Sequence, residues 1–211
     1  MKVALGLKAH SGWAALVVAG RRDGHSVIVD RRRLELVEEE WAKQPYHAAE
    51  DLERVPGTGP AALHPAQSRI AAARELVGRG VASAHRIAAR ELRAAVKRER
   101  ERGNEVVAGA VLVGSPMPDW SVDEILAVHL RMHAAEGFLF RDALARAVGA
   151  CEAKLVAIPE KELTSRAVKA LGMSEPAFRK ELAMLGKSVG PPWGRDQKDA
   201  ALAALVALAA K

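Results

Sequence analysis

VALGLKAHSGWAALVV, residues 3–18, decides the architecture. Two runs of Val, Leu and Ala flank the polar stretch Lys8, Ala9, His10, Ser11 and Gly12. Aliphatic runs of this length, bounded by turn residues, read as paired strands over 3–7 and 13–19. On that reading Lys8, His10 and Ser11 stand at the tip of the first hairpin. Arg21-Arg22-Asp23-Gly24 is a second turn, of the Asp-Gly type. Residues 25–37, HSVIVDRRRLELV, then read as a third strand. Its second half alternates, with Leu34 and Leu36 on one side and Arg33 and Glu35 on the other. Three strands with short links form an antiparallel meander.

Outward from this meander the pattern changes. Residues 38–65 carry a short helical stretch near 46–53 and a Pro/Gly loop, the mark of a surface excursion or lid. Residues 66–102 are helical, with a bend expected at Gly78 and Gly80. EVVAGAVLV, residues 105–113, is a buried strand. Ser121-Val-Asp-Glu124 is a capping box and predicts one helix running to about 150. KLVAI, 154–158, is another strand, followed by helices from Pro159 to about 170 and from Ser174 to about 185. GKSVGPPWGR, 186–195, reads as a rigid loop, and the last helix begins near Asp196. A meander followed by helix-linked strands predicts an α/β domain over 1–211, with a mixed five-stranded sheet and helices on both faces. Residues 172–195 read as a helical and loop insertion in it.

Composition narrows the classes. Half the residues are hydrophobic (49%) but only 4% are aromatic, so the core must be built from Ala, Leu and Val. The formal net charge of +6 admits a nucleic acid or another anionic partner, without being that of a DNA-coating protein. Cys151 is the single cysteine, which rules out an internal disulfide and a cysteine-based zinc site. No signal peptide is legible, and the longest apolar run, 200–210, is too short to span a bilayer. A cytoplasmic location is the expectation.

The order of elements resembles the ribonuclease H-like superfamily, and three stretches resemble the bacterial Holliday-junction resolvase family within it. LGLKAHSGWAALVV is similar to that family's opening strand pair, written LGIDPG followed by a strand. The layout from about 125 to 171, ending in PEKELTSRAVKALG, is similar as well. DQKDAALAAL resembles the pattern of its last helix, two aspartates three apart followed by Ala and Leu. The resemblance implies two Mg²⁺ ions held by four carboxylates, because neighbouring hard cations need several anionic oxygens. Two positions match, Asp196 and Asp199. Lys8 stands where the first-strand aspartate belongs, and the family's glutamate falls near Gly114 or Ser115. An ammonium at Lys8 would neutralise the aspartates and repel Mg²⁺. The implied state is a nuclease relative with a degenerate metal site.

Each candidate residue also has a plainer reading. Asp196 and Asp199 lie in the first turn of a helix, where acids favour the dipole and Asp196 can cap. Lys8, His10 and Ser11 suggest an anion pocket, or a polar hairpin tip with Lys8 paired to a carboxylate. His129, His133 and Glu136 share a helix face. Histidines four apart can ligate zinc, but Leu130 stands where the zincin motif needs a glutamate, so a hydrogen-bonded pair is the alternative. Glu136 points into the pocket or pairs with an arginine. Arg86, Arg90, Arg93, Lys97 and Arg100 form a stripe able to track phosphates, or a self-paired surface laced with Glu91, Glu99 and Glu101. Trp41, Tyr46 and Trp193 wall a pocket or anchor loops.

The sequence therefore predicts a nucleic-acid-binding or scaffold module without bound metal, and a homodimer is compatible with it. The alternatives are a weakly active Mg²⁺-dependent nuclease and a small-anion binding protein built on Lys8, His10 and Ser11.

Overall fold

The computed structural model describes residues 1–54 and 66–210. Five strands form one sheet: β1 (Lys2–His10), β2 (Trp13–Arg22), β3 (His25–Glu35), β4 (Glu105–Val113) and β5 (Lys154–Pro159). Their order is β3-β2-β1-β4-β5. The β1–β2 and β2–β3 pairs are antiparallel, and β1–β4 and β4–β5 are parallel. The helices are α1 (Pro45–Arg54), α2 (Ala66–Glu101), α3 (Val122–Leu126), α4 (His129–Gly149), α5 (Leu163–Leu171), α6 (Glu175–Val189) and α7 (Arg195–Ala209). An antiparallel meander extended by two crossover strands is the ribonuclease H-like arrangement expected from the sequence.

Successive strand residues face opposite sides, and here the two sides differ in size. Val3, Leu5 and Leu7 of β1, with Leu16 and Val18 of β2, bury against Ala88 and Leu92 of α2 and Phe140 and Leu144 of α4. The other face is lined with small side chains. Ala4 packs with Leu202 and Ala203 of α7, and Ala15 and Val17 pack with Ala200 and Ala201. Gly6 lies in the middle of that face. A methyl group placed there would come within 1.8 Å of the Ala200 carbonyl oxygen and 2.7 Å of the Ala204 nitrogen. Glycine thus lets α7 rest directly on the backbone of β1.

Several local expectations are corrected. Strand β1 continues to His10, so Lys8 belongs inside the strand and not to the hairpin tip. Helix α2 is continuous through Gly78 and Gly80. Gly80 serves a close approach, since a methyl there would lie 2.6 Å from Pro45 Cβ at the start of α1. The helix expected over 121–150 is two helices. Ser121 and Glu124 form the capping box of α3, then Val128 adopts an extended conformation and α4 restarts at His129. A short 3-10 turn, Glu160–Glu162, precedes α5. Helix α6 runs through the GKSV expected in the loop, because the Trp193 indole fills the space over Gly186, and it ends where Gly190 turns to positive φ. The short helix read near 46–53 is present as α1, and it packs on α2 through Tyr46, Ala49, Ala73 and Val77. Residues 38–44 of the excursion carry a 3-10 turn, Glu40–Lys43, and 55–65 lie outside the described residues.

One side chain ties the end of helix α6 to the edge strand. The Arg31 guanidinium of β3 donates to the carbonyls of Val189 (2.9 Å), Gly190 (3.0 Å) and Pro191 (3.0 Å), and also to that of Pro192. These carbonyls include the open end of α6, where a cation is favoured. Arg31→Ala is expected to cost about 2 kcal/mol, since bonds from a charged donor are the stronger kind. Urea unfolding measures the loss, and hydrogen exchange of the last turn of α6 should rise before that of α7.

Candidate functional site

Strand periodicity brings the key residue into place. Lys8 stands two residues beyond Gly6 and so shares the face covered by α7. Helix α7 starts at Arg195, and its first turn carries Asp196. Close seating of α7 over Gly6 puts that turn beside Lys8. The Lys8 Nζ lies 2.6 Å from Asp199 Oδ2 and 3.4 Å from Asp196 Oδ1. These groups are 191 residues apart in sequence for the Lys8–Asp199 bond. Lys8 is only 7% exposed. Burial is the largest single influence on its ammonium and opposes the charge, but the hydrogen bonds and charges of Asp199 and then Asp196 outweigh it. Its pKa is raised above the ordinary lysine value.

The hairpin adds a stacked pair of rings beside this centre. His10 pairs with Trp13 across the Ser11–Gly12 turn, and their rings stack with centroids 4.2 Å apart and 10° between planes. The Arg33 guanidinium covers the same indole at 3.9 Å from its centre. His10 Nε2 approaches Asp196 Oδ1 at 3.2 Å, without the alignment of a hydrogen bond. Arg195 comes within 3.7 Å of Asp199. Ser11 is exposed and makes no side-chain hydrogen bond among the described residues. Ala9, His10, Ser11, Glu136, Phe140 and Arg141 line a shallow opening next to these groups.

Gly114, just past the end of β4, sits under another cation. A methyl there would meet Arg141 Nη1 at 2.4 Å. Arg141 also faces Glu160 at 3.5 Å. Gly114, one of the two positions near which the sequence resemblance implies a glutamate, is therefore covered by a guanidinium. With Lys8 between Asp196 and Asp199, the donor set does not fit two Mg²⁺ ions. Two carboxylates remain, and one of them is hydrogen-bonded to an ammonium. Such a pair leaves too little uncompensated negative charge for neighbouring hard cations.

Other predicted residues go elsewhere. The Glu136 carboxylate, although at the wall of the opening, is bonded to His47 of α1, to Nδ1 at 2.8 Å and the backbone nitrogen at 3.2 Å. It pairs with neither an arginine nor the two aspartates. Trp193 packs on Gly186 and beside Ala201 and Leu205, an anchor between α6 and α7. Tyr46 is buried under α2, whereas Trp41 lines a small depression with Glu38, Arg79 and Arg86. The basic stripe on α2 is partly neutralised. Arg86 and Arg90 reach Glu38 at 3.3 and 3.1 Å, Arg90 also reaches Glu91 at 3.1 Å, and Lys97 faces Glu101 at 3.8 Å. Arg93 and Arg100 make no hydrogen bond or ion pair among the described residues, and both border a depression beside Cys151.

The sequence reading missed Arg33, Trp13, Arg141 and His47. Trp13 was accessible to it, because a two-residue turn sets His10 opposite Trp13. The other three depend on how separate helices and strands pack. Among the described residues, no helix is long and apolar enough to cross a membrane.

No protein-family profile matches the chain, and no curated protein matches it. Solved structures do. Thermus thermophilus RuvC in complex with a Holliday junction substrate is similar over 97% of this chain and 91% of its own, at 12% identity and a TM-score of 0.48. A second Thermus thermophilus RuvC structure is similar over the same shares, at 11% identity and a TM-score of 0.47.

Proposed function

We propose that this chain is a catalytically degenerate relative of ribonuclease H-like nucleases that binds nucleic acid without cutting it. The observation that carries the reading is the Lys8 ammonium, 2.6 Å from Asp199 and 3.4 Å from Asp196. It stands where the resemblance implies a metal-binding aspartate, and it supplies positive charge of its own. Arg141, which lies over Gly114, adds a guanidinium at the wall of the opening. Arg93 and Arg100 offer further guanidinium groups to a phosphate backbone. Junction DNA is the first ligand to try, because the opening strand pair and the last helix resemble those of a junction-resolving family. The role is that of a binding or scaffold module in which shape and charge, not hydrolysis, are selected.

Fluorescence anisotropy with labelled four-way-junction and single-stranded DNA tests the proposal. Binding should weaken steeply between about 50 and 200 mM salt, the sign of released counterions. Arg93→Gln with Arg100→Gln should lower the log–log salt slope by about 0.9 for each phosphate no longer neutralised. Neither Mg²⁺ nor Mn²⁺ should induce cleavage. Lys8→Asp should create calorimetrically detectable Mg²⁺ binding that the natural chain lacks. Cleavage by the natural chain, or tight stoichiometric Mg²⁺ binding to it, would replace this proposal with a metal-dependent nuclease. Absence of DNA binding at low salt would leave a small-anion site.

A further inference from the structure

We infer that His47, His129 and His133 form a binding site for a divalent transition metal, Zn²⁺ in the first instance. The site is independent of the Lys8 centre and of the proposed nucleic-acid role. His129 and His133 lie one turn apart on α4, so both rings project from one face. His47 comes from α1, brought against the bundle by the contact of Pro45 with Gly80. One ligand atom from each histidine lies within 4.8 Å of the other two.

Two features separate this cluster from a chance gathering of rings. First, His129 Nε2 and His133 Nε2 form the hydrogen-bonded pair read as the alternative, at 3.1 Å, and that spacing is also close to the one a shared metal imposes. Two imidazole nitrogens bound tetrahedrally to zinc at about 2.0–2.1 Å lie roughly 3.3 Å apart. Ligands of this geometry need only a small adjustment. Second, Glu136 grips His47 from behind. Its side chain is 4% exposed, and its two oxygens take Nδ1 at 2.8 Å and the backbone nitrogen at 3.2 Å. A carboxylate that accepts from Nδ1–H sets the tautomer and leaves the Nε2 lone pair for a cation. This gives a buried acid, otherwise costly, a definite task.

His129 and His133 are exposed. A metal held by three imidazoles there keeps a fourth position for water or a small ligand. Three nitrogen donors and one open position suit Zn²⁺, and imidazole also suits Cu²⁺ and Ni²⁺. The cation would tie α1 to the start of α4.

The test uses the full chain, without a polyhistidine tag, stripped with EDTA and dialysed. Competition of Zn²⁺ against a chromophoric chelator should show one equivalent bound. Co²⁺ should give the intense visible bands of a four-coordinate ion. His129→Ala and His133→Ala alter exposed side chains and should keep the circular dichroism of the natural chain, yet each should weaken Zn²⁺ binding by about 100-fold or more. Glu136→Gln should keep the stoichiometry and weaken Zn²⁺ by about 10- to 100-fold, as expected for a positioning residue. His129→Ala and His133→Ala should leave DNA binding unchanged, which separates this site from the Lys8 centre. The inference is overturned if the stripped chain binds less than one equivalent, or if both histidine variants bind Zn²⁺ as the natural chain does.

Discussion

Gly6→Ala is expected to lose more than about 3 kcal/mol of stability, above the usual range for an overpacked core. The added methyl would sit 1.8 Å from one backbone atom of α7 and 2.7 Å from another. Overpacking is ordinarily relieved by side chains changing rotamer, but no rotamer moves a carbonyl oxygen. The whole helix would have to lift from the sheet, separating Ala200, Ala203 and Ala204 from it together. Natural domains hold only about 5–15 kcal/mol in total, so a largely unfolded or aggregated product is a reasonable outcome. Gly78→Ala is the matched control. Gly78 is helical, exposed and has nothing within 4 Å of an added methyl, so it should gain up to about 1 kcal/mol. Chemical denaturation of the two variants should give opposite signs. A Gly6→Ala protein as stable as the natural chain would mean that α7 does not rest on β1 as described.

Lys8→Met is the second large effect. It keeps the length of the stem and removes the charge, leaving Asp196 and Asp199 without their shared cation. Breaking a fully buried pair costs about 3–5 kcal/mol. The aspartate side chains here are 30% and 23% exposed, so solvent screens part of that and about 2 kcal/mol is expected. The pH dependence has a definite sign. The folded-state pKa of Lys8 is raised above the ordinary 10.5. Its contribution is therefore complete below about 10.5 and disappears as pH rises through the higher folded value. The gap between natural chain and variant should be flat from about pH 7 to 9 and close in strong alkali. Unfolding curves at about pH 7, 9 and 11 measure it, and a gap that widened with pH would contradict the assignment.

The difference between what was legible and what was not follows from range. Val, Leu and Ala runs bounded by Asp-Gly and Ser-Gly turns mark β1, β2 and β3, because strand and turn propensities act over a few residues. EVVAGAVLV marks β4 for the same reason. Lys8 and Asp199 are joined across the whole chain, and nothing in composition links them. Only the resemblance of the two ends to one family suggested that they meet. The break at Ala127–Val128 had no Pro or Gly to announce it. His47 was harder still, since its place beside His129 and His133 depends on α1 lying over Gly80. Glu136 was noticed for its helix face, but its partner sits in a segment read as a surface excursion, apart from the core.

The unequal faces of the sheet bear on how such a chain can diverge. Beneath α2 and α4, Leu5, Leu7, Leu16 and Phe140 interlock through side chains, and neighbouring volumes can trade bulk with one another over generations. Beneath α7, main chain meets main chain at Gly6, and there is no bulk to trade. Chemistry at Lys8, Asp196 and Asp199 can therefore be rewritten by single substitutions while the seat that presents them stays frozen. Ancestry would be kept in the glycine and the alanines, and the activity in side chains that are easily replaced.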